Sequence, residues 1–301
     1  MADRLTVTVA IPTYMRENVL VETIEQVLAQ YPAPEDVLVV DQTPTHAEQT
    51  ESRLREWQGS GKIRWLRGLE PNLPGARNVA LREARTNLVI FVDDDVLPSP
   101  GFVETHRRCY KDPSVFAVTG QVLGPDRKVA HGVVKDYSLR FPRNYHRRSW
   151  IRGLFGCNFS VRRDFAIDLG GFDMRYTGSA YREESDFAFR ATAKTGRLVL
   201  FEPEASLIHL AEGSGGCRAW GGIYSIRELS YSRGDYYFAL CNLPLFAAVL
   251  HVALRPYNAI AQKYPATHPW VIPLLLVREV IAFTHALYMV AGGRRLIWCE
   301  P

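Results

Sequence analysis

The chain has 301 residues, of which 47% are hydrophobic, enough for one large α/β domain or two fused halves. Its formal net charge of +4 is too small to predict nucleic-acid binding, and we expect no nucleic-acid partner. Ligands that carry phosphate and an anionic membrane surface fit this charge equally well. The five cysteines are scattered without a C-x-x-C pair, which predicts reduced thiols that mostly fill the core of a cytoplasmic protein. The N-terminus enters an apolar strand directly, so we expect no signal peptide.

Apolar runs alternate with segments of helical spacing along the first 120 residues. Short runs rich in β-branched residues predict strands at 5–11, 37–40, 62–66, 88–92 and 115–119. Helices are predicted between them at 18–30, around Leu54 and Trp57, at 76–84 and at 101–110. Two closing strands are predicted at 197–201 and 205–209. Strands that alternate with helices indicate an α/β fold with a mainly parallel central sheet and flanking helices.

Polar residues directly follow three of the predicted strands. Pro12 and Thr13 follow the first, Asp41 follows the second, and Asp93 begins an acidic run after the fourth. In open parallel sheets, ligands bind outside the carboxyl ends of the strands, so we expect these residues to gather at one edge. The chain contains neither G-x-G-x-x-G nor a Walker A motif, which argues against nicotinamide binding and P-loop phosphate transfer.

Three adjacent carboxylates, Asp93, Asp94 and Asp95, end the most apolar of these strands. Residues two apart in an extended chain face the same way, so Asp93 and Asp95 can converge on one cation while Asp94 points elsewhere. Carboxylate oxygens suit Mg²⁺ or Mn²⁺, which also bind substrate phosphates. The alternative is a solvated acidic turn that holds no metal.

The regular alternation of predicted strands and helices ends after residue 120. The segment 132–150 is polar and basic, which indicates an irregular region over the site or a solvated surface. The glycine-rich segment 213–216 could be a lid over a ligand or a linker.

Five segments of the chain carry a resemblance. The first strand ending in PTYMRE, the helix start NLPGARNVAL, the DDD turn, GCNFSVRR with LGGFD, and REESDFAFR come in this order. Over residues 5–210 this pattern resembles family 2 glycosyltransferases, which have the GT-A fold. The resemblance implies transfer of a sugar from a nucleoside diphosphate sugar to an acceptor hydroxyl with inversion at the anomeric carbon. It also implies a bound Mg²⁺ or Mn²⁺.

The resemblance assigns roles to individual residues. It implies that Asp93 lies near the ribose, that Asp95 binds the metal and that His209 is a further metal ligand. Asp94, from the same motif, is placed in the nucleotide-sugar site. Asn158 could hydrogen-bond the donor sugar or the acceptor, or serve the structure alone. The remaining nucleotide-binding positions are Pro12, Thr13, Arg16, Glu17, Asp41 and Arg77.

The segment beginning at Arg182 resembles the acidic motif that supplies the catalytic base. The family usually has Glu-Asp there, whereas this chain has Glu183 followed by Glu184, so either could be the base. Both would lie in the first turn of a helix, where the helix dipole favours the ionised form, and they could serve only as caps. We expect Asp186 to be structural and paired with Arg190 four residues on.

Two apolar stretches, 236–254 and 270–290, form the C-terminal tail, and polar residues interrupt both. They could pack on the catalytic domain or lie in a membrane interface, which would suit a lipid-linked acceptor and the inner face of the cell membrane. We predict a nucleotide-sugar-binding half at 1–120, an acceptor-binding and catalytic half at 121–235, and a helical tail at 236–301. Two rival functions remain: a sugar nucleotidyltransferase, and an inactive GT-A-like binding module.

Overall fold

A computed structural model describes residues 4–68, 70–132, 141–213, 215–216, 228–261 and 263–298. The first half alternates strands and helices, as the apolar pattern predicts. Its elements are β1 (Val7–Thr13), α1 (Asn18–Leu28), β2 (Asp36–Asp41), α2 (Glu48–Gly59), β3 (Arg64–Leu66), α3 (Leu73–Glu83), β4 (Leu88–Val92), β5 (Val96–Pro98) and α4 (Phe102–Cys109).

The middle of the chain supplies the remaining strands and two further helices. These are β6 (Ala117–Leu123), β7 (Ser149–Ile151), β8 (Asn158–Arg162), α5 (Arg163–Asp168), α6 (Glu183–Thr195) and β9 (Val199–His209). The two closing strands predicted at 197–201 and 205–209 are one continuous strand, because β9 pairs with β6 on both sides of a register shift. Part of the basic segment predicted at 132–150, including Arg140, lies outside the described residues.

One mixed sheet joins the strands in the order β3-β2-β1-β4-β8-β6-β9-β5, with β7 paired to β9. The first four strands in this order are parallel to one another, as the alternation predicts. Strand β8 runs antiparallel to both β4 and β6. Strands β1 and β4 are buried along their whole length, and hydrophobic clusters cover both faces of the sheet. The carboxyl ends of β1 and β4 are therefore held in place by the hydrophobic core.

The C-terminal tail is helical, as expected. It contains α7 (Ser230–Asn242), α8 (Leu245–Ile260), α9 (Lys263–Thr267), a 3₁₀ turn (Pro269–Val271) and α10 (Ile272–Ala291). The inner side of α10, including Ala282, Ala286 and Met289, packs against Tyr236 and Phe238 of α7. Helix α7 begins six residues before the predicted tail boundary at 236, and the division of the chain into three parts stays a prediction.

Candidate active site

A single cleft collects the ends of β1 and β4, the start of α6 and the end of β9. Asp95 and Glu184 both line it, so the acidic turn and the proposed base face a shared space. These segments are far apart in sequence, from Thr13 at the end of β1 to His209 at the end of β9, and the sheet topology brings them together. The other lining residues are Pro12, Thr13, Tyr14, Arg16, Gln42, Leu73, Arg77, Asp93, Asp94, Gly156, Ser179, Ala180, Tyr181, Glu183, His209, Ala211, Glu212, Gly215 and Gly216.

The three aspartates after β4 lie at a bend in the chain and have different partners, although Arg16 contacts both Asp94 and Asp95. Asp94 is buried, accepts a hydrogen bond of 2.7 Å from Thr13 Oγ1, and lies 3.2 Å from Arg16 Nε. Burial raises the pKa of Asp94 to about 7, although Arg16 and Thr13 act in the opposite direction. Asp94 therefore fixes the loop after β1 to the loop after β4 at the wall of the cleft.

Asp93 and Asp95 both lie beside His209 at the end of β9. The Nε2 atom of His209 lies 3.6 Å from Asp93 Oδ2 and 3.4 Å from Asp95 Oδ1. Burial alone would lower the pKa of His209, but the hydrogen bond to Asp93 and the charges of both aspartates raise it above its ordinary value. Asp95 also accepts a backbone hydrogen bond of 3.0 Å from Glu212, which orients its carboxylate.

This cluster has the chemistry of a divalent-metal site. Asp93, Cys157 and His209 each offer a ligand atom, and these atoms lie within 4.8 Å of one another. Carboxylate and imidazole donors suit Mn²⁺, and Asp95 adds a further oxygen. The sequence predicted that the cysteines mostly fill the core, because they are scattered without a C-x-x-C pair, and Cys157 is indeed buried in a hydrophobic cluster.

Arg77 and Glu183 form a buried ion pair in the wall of the cleft. Each residue is 1% exposed, and an Nη1 atom of Arg77 contacts Glu183 Oε1. Arg77 also donates a hydrogen bond of 2.8 Å to the carbonyl oxygen of Gly156. Its guanidinium lies 5.2 Å from the ring centroid of Phe159. These contacts engage both side chains within the protein. Arg77 also lines the cleft, and its contact with the nucleotide stays a prediction.

Glu184 lines the same cleft but differs from Glu183 in its exposure and in its partners. Its side chain is half-buried and lines the cleft, and it has no hydrogen-bond or salt-bridge partner within the described part of the chain. The backbone before it is strained, because Ala180 and Arg182 have φ angles of 51° and 78°, in the left-handed region. Such strain is typical of segments that must present one side chain precisely. The geometry therefore distinguishes the two acids that the sequence left equivalent.

Arg182, just before these acids, is tied to the tail. Its Nε donates a hydrogen bond of 2.9 Å to Asp235 on α7, and Asp235 also contacts His251 and Arg255 on α8 at 3.1 Å each. Burial alone would raise the pKa of Asp235, but these three partners lower it to about 2. The start of α6 is thus anchored through a carboxylate on α7.

Asp186 ties the same helix to the tail a second time. It is 0% exposed and accepts hydrogen bonds from Arg190 at 2.7 Å, Asn242 at 2.9 Å and Arg294 at 3.1 Å. The predicted Asp186–Arg190 pair is confirmed. The two contacts from the tail were not predicted, because their partners lie 56 and 108 residues away in sequence.

Three predicted nucleotide-binding residues do not line the cleft. Asp41 is 0% exposed and accepts hydrogen bonds of 2.8 Å from His46 and from Trp65 Nε1. Burial alone would raise its pKa, but these bonds lower it. Glu17 contacts His46 at 3.2 Å. Their proposed contacts with the nucleotide stay predictions.

Asn158 is the third residue outside the cleft. It is 0% exposed, and its amide donates to the carbonyl oxygens of Gln121 and Ala205 at 2.9 and 2.8 Å. Its Oδ1 lies 3.1 Å from His106 Nε2. In this arrangement it joins neighbouring strands, which is the structural alternative left open by the sequence.

Tyr181, Gln42 and Glu212 line the cleft but were not among the predicted site residues. Gln42 could have been found, because it directly follows a predicted strand. Tyr181 and Glu212 follow loops whose paths no local sequence pattern specifies.

Comparison with known proteins decides the family. The model described as Glycosyl transferase family 2 matches residues 8–170, which is more than half of the chain. The chain belongs to this family. Membership places the matched domain among the nucleotide-sugar-dependent glycosyltransferases and confirms the predicted family.

Two relatives of known name are distant in sequence. A glucosyl-dolichyl phosphate glucuronosyltransferase of Haloferax volcanii is 26% identical over 230 residues, which cover 67% of this chain and 68% of that protein. Validoxylamine A glucosyltransferase of Streptomyces hygroscopicus subsp. limoneus is 28% identical over 137 residues, or 44% of this chain. That match spans only 30% of the Streptomyces protein's length.

Solved structures confirm the GT-A fold of this family 2 chain. The mannosyltransferase PcManGT of Pyrobaculum calidifontis, in complex with GDP-Man and Mn²⁺, has a TM-score of 0.55 at 19% identity, covering 97% of this chain and 86% of that one. TarS of S. aureus, in complex with UDP-GlcNAc, has a TM-score of 0.58 at 13% identity, covering 96% and 92%. At these identities the likeness concerns the fold alone.

Proposed function

We propose that this family 2 chain is a metal-dependent, inverting glycosyltransferase that moves a sugar from a nucleoside diphosphate sugar to an acceptor hydroxyl. The observation that carries this proposal is the shared cleft of Asp95 and Glu184. A single displacement needs a base on one side of the sugar and charge stabilisation at the leaving group on the other. The cleft offers an acid for each task, and relatives of the same fold are described with Mn²⁺.

The electrostatic half of the site is the cluster of Asp93, Asp95 and His209, to which Cys157 is adjacent. These side chains would hold Mg²⁺ or Mn²⁺, which as a Lewis acid stabilises negative charge on the departing diphosphate. Arg16 lies 3.5 Å from Asp95 Oδ2 and lines the cleft, so its positive charge adds to the same region. The bond that breaks joins the anomeric carbon to the phosphate oxygen, and its electrons leave with the nucleoside diphosphate.

The general base in this proposal is Glu184. Its carboxylate takes the proton of the acceptor hydroxyl while the oxygen forms the new bond to the anomeric carbon, which inverts its configuration. Glu183 is unsuited to this task in the structure, because its carboxylate is buried and paired with Arg77. We assign Glu183 and Arg77 to positioning the first turn of α6.

The acceptor class follows from two further points. The Haloferax relative is named for a dolichyl phosphate-linked glucoside, and the tail of this chain exposes a large apolar surface. We propose a lipid-linked acceptor in polysaccharide or glycolipid synthesis, and a location in the cytoplasm at the inner face of the cell membrane.

The decisive experiment incubates the purified chain with a panel of nucleotide sugars and candidate acceptors, with Mn²⁺ or EDTA. We expect metal-dependent release of one nucleoside diphosphate and an inverted product. Glu184→Gln should abolish turnover but retain donor binding, whereas Glu22→Gln, an exposed acid on α1, should be as active as the wild type.

Two outcomes would contradict the assignment. Formation of a nucleoside triphosphate from pyrophosphate and the nucleotide sugar would indicate a nucleotidyltransferase. Full cellular function of Glu184→Gln would indicate a binding module.

A further inference from the structure

Large apolar side chains are exposed on one part of the molecule. Of the twenty that are exposed among the described residues, sixteen lie between Leu245 and Trp298. A soluble monomer rarely exposes so much contiguous apolar surface without a partner. We call this surface the apolar face; on α8 it comprises Leu245, Phe246, Val249, Leu250, Leu254 and Tyr257, and on α10 Leu274, Val277, Val280, Ile281, Leu287 and Tyr288.

The spacing of these residues places them on one side of each helix. Phe246, Val249 and Leu250 are three and four positions apart, which is the spacing of a continuous stripe on α8. Leu274, Val277 and Ile281 repeat this spacing on α10. Helix α10 is therefore apolar on both sides, because its inner side already packs on α7. A helix that is apolar all round belongs in a core or in lipid.

Length alone would allow α10 to cross a membrane. The segment Pro269–Ala291 has 23 residues and contains an 18-residue stretch with a mean hydropathy of 1.6, of which 28% is buried. However, Glu279 on its inner side is 2% exposed and accepts a hydrogen bond of 2.7 Å from Ser232 on α7. It also contacts Arg278 at 2.7 Å. Inserting this helix across lipid would break these polar contacts, so the structure favours a helix that lies along the membrane surface.

A basic groove borders the apolar face. Its lining contains Arg175, Arg233, His285 and Arg295 but no acidic residue. Tyr288, which is 77% exposed, belongs both to this groove and to the apolar face, so the two surfaces are continuous. Three guanidinium groups beside an apolar surface match the phosphates of anionic lipids beside their acyl chains.

We propose that the apolar face and the basic groove together dock this protein on an anionic lipid bilayer. The apolar side chains of α8 and α10 enter the boundary between headgroups and acyl chains, and the groove binds lipid phosphates. A symmetric pairing of two copies through this face fits the charges less well, because it would bring two basic grooves toward one interface. The proposal does not depend on the catalytic role of Glu184.

The test is co-sedimentation of the 301-residue chain with vesicles of phosphatidylcholine, with and without phosphatidylglycerol. We expect binding that is strongest with phosphatidylglycerol and that weakens as salt is added. Phe246→Ser with Val277→Ser should reduce binding to both kinds of vesicle. Tyr31→Ser is the matched control, because Tyr31 is an exposed aromatic residue (88%) outside the tail and should not matter.

The basic groove is tested separately. Arg233→Gln and Arg295→Gln should each weaken binding to phosphatidylglycerol vesicles by about fivefold, while binding to phosphatidylcholine changes little. Glu184→Gln should bind like the wild type, which separates this proposal from the catalytic one. Circular dichroism and thermal unfolding verify that each variant is folded.

Two results would overturn the proposal. One is a wild-type protein that stays in the supernatant with both vesicles. The other is a stable dimer in light scattering that the Phe246→Ser and Val277→Ser pair converts to monomer, with no change in vesicle binding.

Discussion

The buried pair of Arg77 and Glu183 leads to the sharpest prediction about stability. Arg77→Met keeps most of the side chain's length but removes its charge, which leaves the Glu183 carboxylate without its partner at a site that is 1% exposed. Removing one member of a buried ion pair costs about 3–5 kcal/mol. Typical proteins have only about 5–15 kcal/mol of stability, so the loss should be a large share of the total.

The measurement is equilibrium unfolding in urea, followed by tryptophan fluorescence, with donor kinetics on the same preparations. Arg77→Met should lower the free energy of unfolding by about 3–5 kcal/mol. Adding Glu183→Gln should recover part of this loss, because the double variant no longer buries an unpaired charge. Arg82→Met, which removes an exposed arginine from the same helix, should change stability by less than about 0.5 kcal/mol.

The opposite pattern would refute this reasoning. If Arg77→Met unfolds like the wild type but raises the KM for the donor, Arg77 acts on the nucleotide, as the resemblance implied. The buried pair would then be broken when the donor binds.

Three further predictions concern the site and its supports. The pKa of Asp235 is lowered from 3.8 to about 2, so it contributes stability that is present above the unfolded-state value and is lost as pH falls toward about 2. Asp235→Asn should make the free energy of urea unfolding depend less on pH in the acid range. Because Asp235 holds Arg182, the same variant should lower kcat while the KM for the donor changes less. Asp95→Asn should abolish the extra thermal stabilisation that Mn²⁺ gives in the presence of a nucleoside diphosphate; an unchanged shift would place the metal elsewhere. Cys157→Ser should make the enzyme roughly tenfold less sensitive to inhibition by Cd²⁺, and equal sensitivity would remove the thiol from the metal site.

The sequence was most informative about polar residues that directly follow a strand. The apolar run 88–92 predicted β4. In the structure Asp93 and Asp95 lie beside His209 and Asp94 contacts Thr13, while the roles of the three acids stay predictions. Parallel strands place their carboxyl ends at one edge, so the loops after β1 and β4 could be assigned to the same cleft without any coordinates. These inferences hold because they rest on local backbone geometry.

The sequence was least informative about buried charges. Arg77 lies near the start of an ordinary helix, and its partner Glu183 lies in a different segment that no local pattern connects to it. The same holds for Asp41, whose strand-end position suggested a ligand contact although His46 and Trp65 satisfy its carboxylate. Tertiary structure also decides which side of a helix packs against the rest of the chain. The sequence alone therefore could not show which apolar residues of the tail are exposed and which are buried.

The hydrogen bonds around Asp186 limit how this protein can be engineered. The family match ends at residue 170, yet the helix that presents Glu184 is held by Asn242 and Arg294 from beyond it. A chimaera that joins residues 1–229 to a foreign tail would leave the buried Asp186 carboxylate with only Arg190, and we expect the helix that carries Glu184 to loosen even if the chimaera folded. An experiment that exchanges acceptor preference between relatives should therefore transfer the tail, with Asn242 and Arg294, together with the cleft.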